Sequence, residues 1–111
     1  MTTQTMGYIA IGELHQFPPM YGRLVRAGQL EIAVFHTSEG ELYALENRTP
    51  HAKGGTLVEG IVSGHYVYCP MRDLKIDLRD GKVQEPDDGE VRTFPVRRIG
   101  DRLEMGIPDT L

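Results

Sequence analysis

Two short stretches carry the residue types that could do chemistry. One is Thr49-Pro50-His51-Ala52-Lys53-Gly54-Gly55, the other Cys69-Pro70-Met71-Arg72-Asp73, each pinned by a proline. His51 offers an imidazole, and Cys69, the only cysteine of the chain, a thiolate; both are ligand types for iron or zinc. Together they look like half of a metal site, with the other half expected one ligand beside each of them. Those places hold Thr49 and Arg72. A threonine hydroxyl stays protonated near neutral pH, and a guanidinium is a permanent cation with no lone pair to give. His15, His36 and His65 lie outside the two stretches and supply no substitute.

Simpler readings stand beside each of these. His51 reads first as a loop-tip histidine that hydrogen-bonds the opposite loop, because an unpaired candidate ligand rarely makes a site. Cys69 follows an apolar strand and reads as a small apolar filler, not a reactive thiol. Arg72 either bridges toward the Pro50 side or Asp73, or is solvated. Gly54-Gly55 without a following helix is turn geometry, not a phosphate cradle. Asp73 and Asp77 do not form an acid–base pair, since one sits in a loop and the other at a strand end. The acidic run 85–90 reads as a solvated turn.

The elements that must position these stretches are strands. Residues 8–11 are the first candidate, and Phe17-Pro18-Pro19-Met20-Tyr21-Gly22 is a loop, since paired prolines cannot join a regular ladder. Residues 23–26 and 30–36 form a hairpin with Gly28 in the turn. Residues 42–46 are short and apolar, and 65–69 are a strong strand leading into Cys69. Residues 74–78 alternate with period 2, which predicts one buried and one wet face. A hairpin turn is centred on Asp80-Gly81. Residues 91–99 and 103–105 pair around Gly100-Asp101. No segment of ten or more residues carries a helical stripe. Strands at spacings near ten residues predict an all-β sandwich or barrel with at most one helical turn.

The 111 residues make one domain, expected over 7–107, with a loose N-terminus (1–6) and a tail (108–111). A net charge of −4 argues against a nucleic acid or an anionic membrane as the main partner. A single cysteine allows no internal disulfide, and no run of about 18 apolar residues is present, so the cytosol is the expected location.

The spacing Thr49-x-His51 with Cys69-Pro70-x-Arg72 resembles the Rieske [2Fe–2S] pattern Cys-x-His with Cys-Pro-x-His, two of its four ligands replaced. The resemblance extends through Lys53-Gly54-Gly55, Asp77-Leu78 and Gly81-Lys82-Val83, and from about Tyr8 to about Met105. Within it, Pro50-His51-Ala52-Lys53-Gly54-Gly55-Thr56-Leu57-Val58 with Gly60-Ile61-Val62-Ser63-Gly64 is similar to the small subunit of assimilatory NAD(P)H nitrite reductase. The resemblance implies an antiparallel β fold with two loops at one end. In a Rieske centre two Cys hold one iron and two His the other. By position, Thr49 stands for the first Cys and Arg72 for the second His, so each iron would keep one protein ligand. Gly54 and Met71 stand where some family members carry an extra disulfide.

The resemblance therefore implies a cluster-free subunit with no cofactor of its own. Its partner would be the large nitrite reductase subunit, bearing FAD, siroheme and an iron–sulfur cluster, and its docking surface would include Pro50, His51, Pro70 and Met71. A Rieske-type ferredoxin with an unusual metal centre and a stand-alone interaction domain are the alternatives.

Overall fold

A computed structural model describes residues 6–49, 55–70 and 74–108. Its regular structure is ten strands and one 3-10 turn, Leu14–Gln16: β1 (Met6–Glu13), β2 (Gly22–Ala27), β3 (Leu30–His36), β4 (Leu42–Glu46), β5 (Ile61–Ser63), β6 (Tyr66–Tyr68), β7 (Lys75–Asp77), β8 (Thr93–Phe94), β9 (Val96–Ile99) and β10 (Arg102–Pro108). They form three antiparallel sheets, ordered β1-β10-β9, β2-β3-β4-β8 and β5-β6-β7. The all-β expectation holds, and the one helical turn among the described residues lies between β1 and β2.

The middle sheet is covered on both faces, and β3 shows why. Its run Ile32-Ala33-Val34-Phe35 is fully buried without alternation, the pattern of a strand that faces apolar matter on each side. Ala33 and Phe35 join one cluster with Leu45, Leu57, Val67, Cys69 and Ile76. Ile32 and Val34 join the other with Phe17, Phe94, Leu103 and Met105. The sheet thus divides two cores: one shared with the long strands β1 and β10, the other with the short-stranded end that carries the two loops.

The hairpin β2–β3 turns at Gly28, whose φ of 62° is the left-handed value a tight turn needs. Gly22 answers a different demand: a Cβ there would run into the carbonyl oxygen of Val58. Two expectations need correction. The stretch 91–99 is not one strand. Pro95 interrupts it, so β8 pairs with β4 while β9 pairs with β10. In the 74–78 strand the wet face is incomplete, because Asp77 is only 6% exposed. Arg79 folds back over its carboxylate, which lets the charge sit at a buried position.

Candidate functional site

The first loop leaves the end of β4 and is tied down before it begins. Glu46 and Asn47 donate their N–H groups to the carbonyls of Arg92 (2.9 Å) and Glu31 (2.9 Å). The buried Asn47 side chain then reaches across the loop's base. Its Oδ1 accepts the N–H of Leu57 at 2.9 Å and of Val58 at 2.8 Å. Thr49 donates its N–H to the Gly55 carbonyl at 3.1 Å and is 4% exposed. Asparagine suits this place because its short amide can satisfy two backbone donors that no ladder reaches.

The second loop leaves β6, and Cys69 donates its N–H to the Leu74 carbonyl at 2.9 Å, closing the base between β6 and β7. Below it, Asp77 organises the next turn. Its carboxylate accepts the Arg79 N–H (2.9 Å) and, from the same residue's guanidinium, Nε (3.1 Å) and Nη2 (2.8 Å). The side-chain hydrogen bonds from Arg79 hold the Asp77 carboxyl below its ordinary range, with burial pulling the other way. Leu78 donates to the His65 carbonyl at 2.8 Å, which joins this turn to the start of β6. Leu57 and Cys69 belong to one apolar cluster, so both loop bases rest on the same core.

Thr49 is buried at the foot of the first loop, Cys69 is 2% exposed at the foot of the second, and Pro70 is exposed beyond it. Pro50, His51, Gly54, Met71, Arg72 and Asp73 lie outside the described residues. His36 ends β3 and His65 directly precedes β6. His36 Nδ1 meets the Phe17 carbonyl at 2.6 Å, and His65 has its Nε2 buried without a hydrogen-bond partner among the described residues. Asn47 and the Asp77–Arg79 pair are supports that the residue types of the two loops do not point to. An Asn directly after a strand and an Asp-x-Arg at a turn are the signals that mark them.

Burial alone pushes the Cys69 thiol up to about 11. At neutral pH it is a protonated, apolar filler with little nucleophilic character. Among the described residues no three His, Cys, Asp or Glu side chains gather as a metal-binding group. Among the described residues no helix is long and apolar enough to cross a membrane.

Residues 7–106 match the model of the Rieske-like [2Fe-2S] domain. The chain belongs to that family. It is 30% identical over 101 residues to the large subunit of nitrite reductase [NAD(P)H] of Klebsiella oxytoca, covering 87% of this chain and 10% of that protein. The chain thus spans about a tenth of that relative's length. It is 34% identical over 82 residues to the anthranilate 1,2-dioxygenase ferredoxin subunit of Burkholderia cepacia, covering 73% of this chain and 74% of the other. Among solved structures, a protein assigned as the small subunit of an NADH-dependent nitrite reductase in Mycobacterium tuberculosis superposes with a TM-score of 0.83 at 20% identity. That match covers 92% of this chain and 96% of the other.

The family name implies a two-iron cluster, and the donor set here does not fit one. Of four ligand positions, two carry residues able to bind iron, His51 and Cys69. Thr49 carries a hydroxyl, Arg72 a cation. Cys69 would have to give up a proton that its surroundings hold more tightly than usual.

Proposed function

We propose that this Rieske-like domain is a cluster-free, non-catalytic small subunit of an NAD(P)H-dependent nitrite reductase, working in nitrate assimilation in the cytosol. The observation that carries this reading is a family frame kept over residues 7–106 with Thr49 and Arg72 at two of its four ligand positions. A scaffold that keeps its loop bases and drops its ligands retains a shape but not an electron carrier. Two relatives supply the context. The Klebsiella protein, itself a nitrite reductase large subunit, includes a segment similar to this chain, and the mycobacterial structure is of a protein assigned as a small subunit of such an enzyme. The partner would be the large subunit, which would hold FAD, siroheme and an iron–sulfur cluster and reduce nitrite to ammonium. This chain would dock through the loop end, where Pro70 is exposed. Co-purification from cells grown on nitrite tests it: a tagged chain is expected to bring down the large subunit, and a tagged chain that never does so contradicts the reading.

The ferredoxin reading has its own observation, the 34% identity to the Burkholderia ferredoxin subunit. Iron analysis separates the two, since an electron carrier must contain near-stoichiometric metal.

A further inference from the structure

The segment 17–24 is built like a presenting device, and nothing in the loop pair explains it. Residues 18–21 form a turn closed by the Tyr21 N–H on the Pro18 carbonyl at 3.4 Å. Pro19 and Met20 occupy its centre, and Met20 has a φ of 72°. That is the geometry of a type II turn, which favours proline first and glycine second. Methionine therefore stands in a backbone conformation that costs energy for any residue with a Cβ. Its neighbours hold it there: Met20 donates its N–H to the His36 carbonyl (2.7 Å), and His36 Nδ1 bonds the Phe17 carbonyl (2.6 Å). Arg23 donates to the Gln16 carbonyl (2.9 Å), with its guanidinium 5.3 Å over the Phe17 ring. Gly22 sits close against the Val58 carbonyl, at the return of the first loop.

This rigid turn holds apolar side chains out to solvent. Tyr21 is 68% exposed, Met20 39% and Leu24, on the outer strand of its sheet, 38%. Along the chain here the fixed charges are cationic. From Leu14 to Leu30 the chain has two arginines and no acidic residue, within a chain of net charge −4. Arg26 is matched by Glu31, whereas Arg23 meets a carbonyl and a ring and no carboxylate among the described residues. Tyrosine and arginine on a preorganised support are the residue types that dominate protein interfaces.

We infer that Met20, Tyr21 and Leu24, with the unmatched charge of Arg23, form a second docking surface, and that its occupant is an apolar recess with an acidic rim on the large subunit. The inference rests on the proposed function and adds where and by what chemistry the partner binds. The test is titration of the purified large subunit with the whole chain and its variants, with thermal unfolding of each. Tyr21→Ser is expected to weaken binding about tenfold or more with an unchanged Tm. Met20→Gly is expected to weaken binding severalfold while raising Tm by a few degrees, because glycine relieves the turn. Affinity should fall as salt rises, and Arg23→Gln should flatten that dependence.

Unchanged affinity in both Tyr21→Ser and Met20→Gly overturns the inference and leaves the proposed function standing. If the wild-type chain fails to bind the large subunit, both fall together. If the chain forms a dimer in solution that Tyr21→Ser dissolves, the surface belongs to a second copy and the inference is wrong.

Discussion

The long-stranded frame and the loop-bearing end are held in different ways. In the frame, β1 and β10 run eight and seven residues side by side, and their ladder continues into β9. Its outer face is finished by Glu104, which takes Arg97 at 2.8 Å and Arg102 at 3.1 Å, with Arg97 stacked 3.8 Å from the Tyr8 ring centroid. At the loop end β5, β6 and β7 have three residues each. These short ladders give the two loops few bonds of their own. Single side chains complete the task, Asn47 under the first loop and Asp77 under the turn beyond the second. The foot of the first loop and the turn beyond the second are thus held by side-chain acceptors where the frame is held by its ladder.

Substitutions can break this comparison, and the largest effect should come from the frame. Met105, fully buried between β1 and β9, is expected to cost about 3 kcal/mol as Met105→Ala and to lower hydrogen-exchange protection across the whole chain. Asn47→Ala should cost about 2 kcal/mol, because it strips the acceptor from the Leu57 N–H in a residue with no exposure to water. Its protection loss should be local, at Leu57, Val58 and their neighbours. Global loss from Asn47→Ala would erase the proposed distinction.

Asp77→Asn should cost less, about 1 kcal/mol, because its main partner Arg79 is exposed and can turn to water. The pH dependence sharpens the point. The native carboxyl is held below its ordinary range, so its stabilisation is present above the unfolded value near 4 and lost as acidification passes the lower native one. Acid unfolding of the Asp77→Asn variant should therefore be flatter in that window. Cys69 has the opposite sign. Its native value of about 11 lies above the ordinary 9, so stability is complete below pH 9 and declines as pH rises toward 11. At pH 8 the native thiol should resist alkylation and react only after unfolding, as mass spectrometry would show.

The frame was largely legible in the residues. Period-2 runs, the Gly28 turn and the Gly100-Asp101 turn mark the hairpins without any knowledge of partners. The pairing of β1 with β10 was not, since nothing local tells the first strand that its neighbour is the last. Pro95 was visible, yet its consequence, one stretch serving two sheets, depends on where β4 and β10 lie. At the site, residue type was enough to judge chemistry: a threonine and an arginine are poor ligands wherever they point. Burial of Thr49 and the bonds of Asn47 could not be read, because they depend on loop closure. Met20 hid for a similar reason, as a Pro-Pro-Met run shows a turn but not its handedness.

The claim under all of this is that the Rieske-like frame holds no iron. The direct measurement is iron and acid-labile sulfide content, with a visible absorption spectrum, on the whole chain purified anaerobically and again after incubation with iron and sulfide. A colourless, folded protein with negligible iron in both preparations is the expected result. Stoichiometric iron and sulfide with visible charge-transfer bands, lost on Cys69→Ser or His51→Ala, would contradict it.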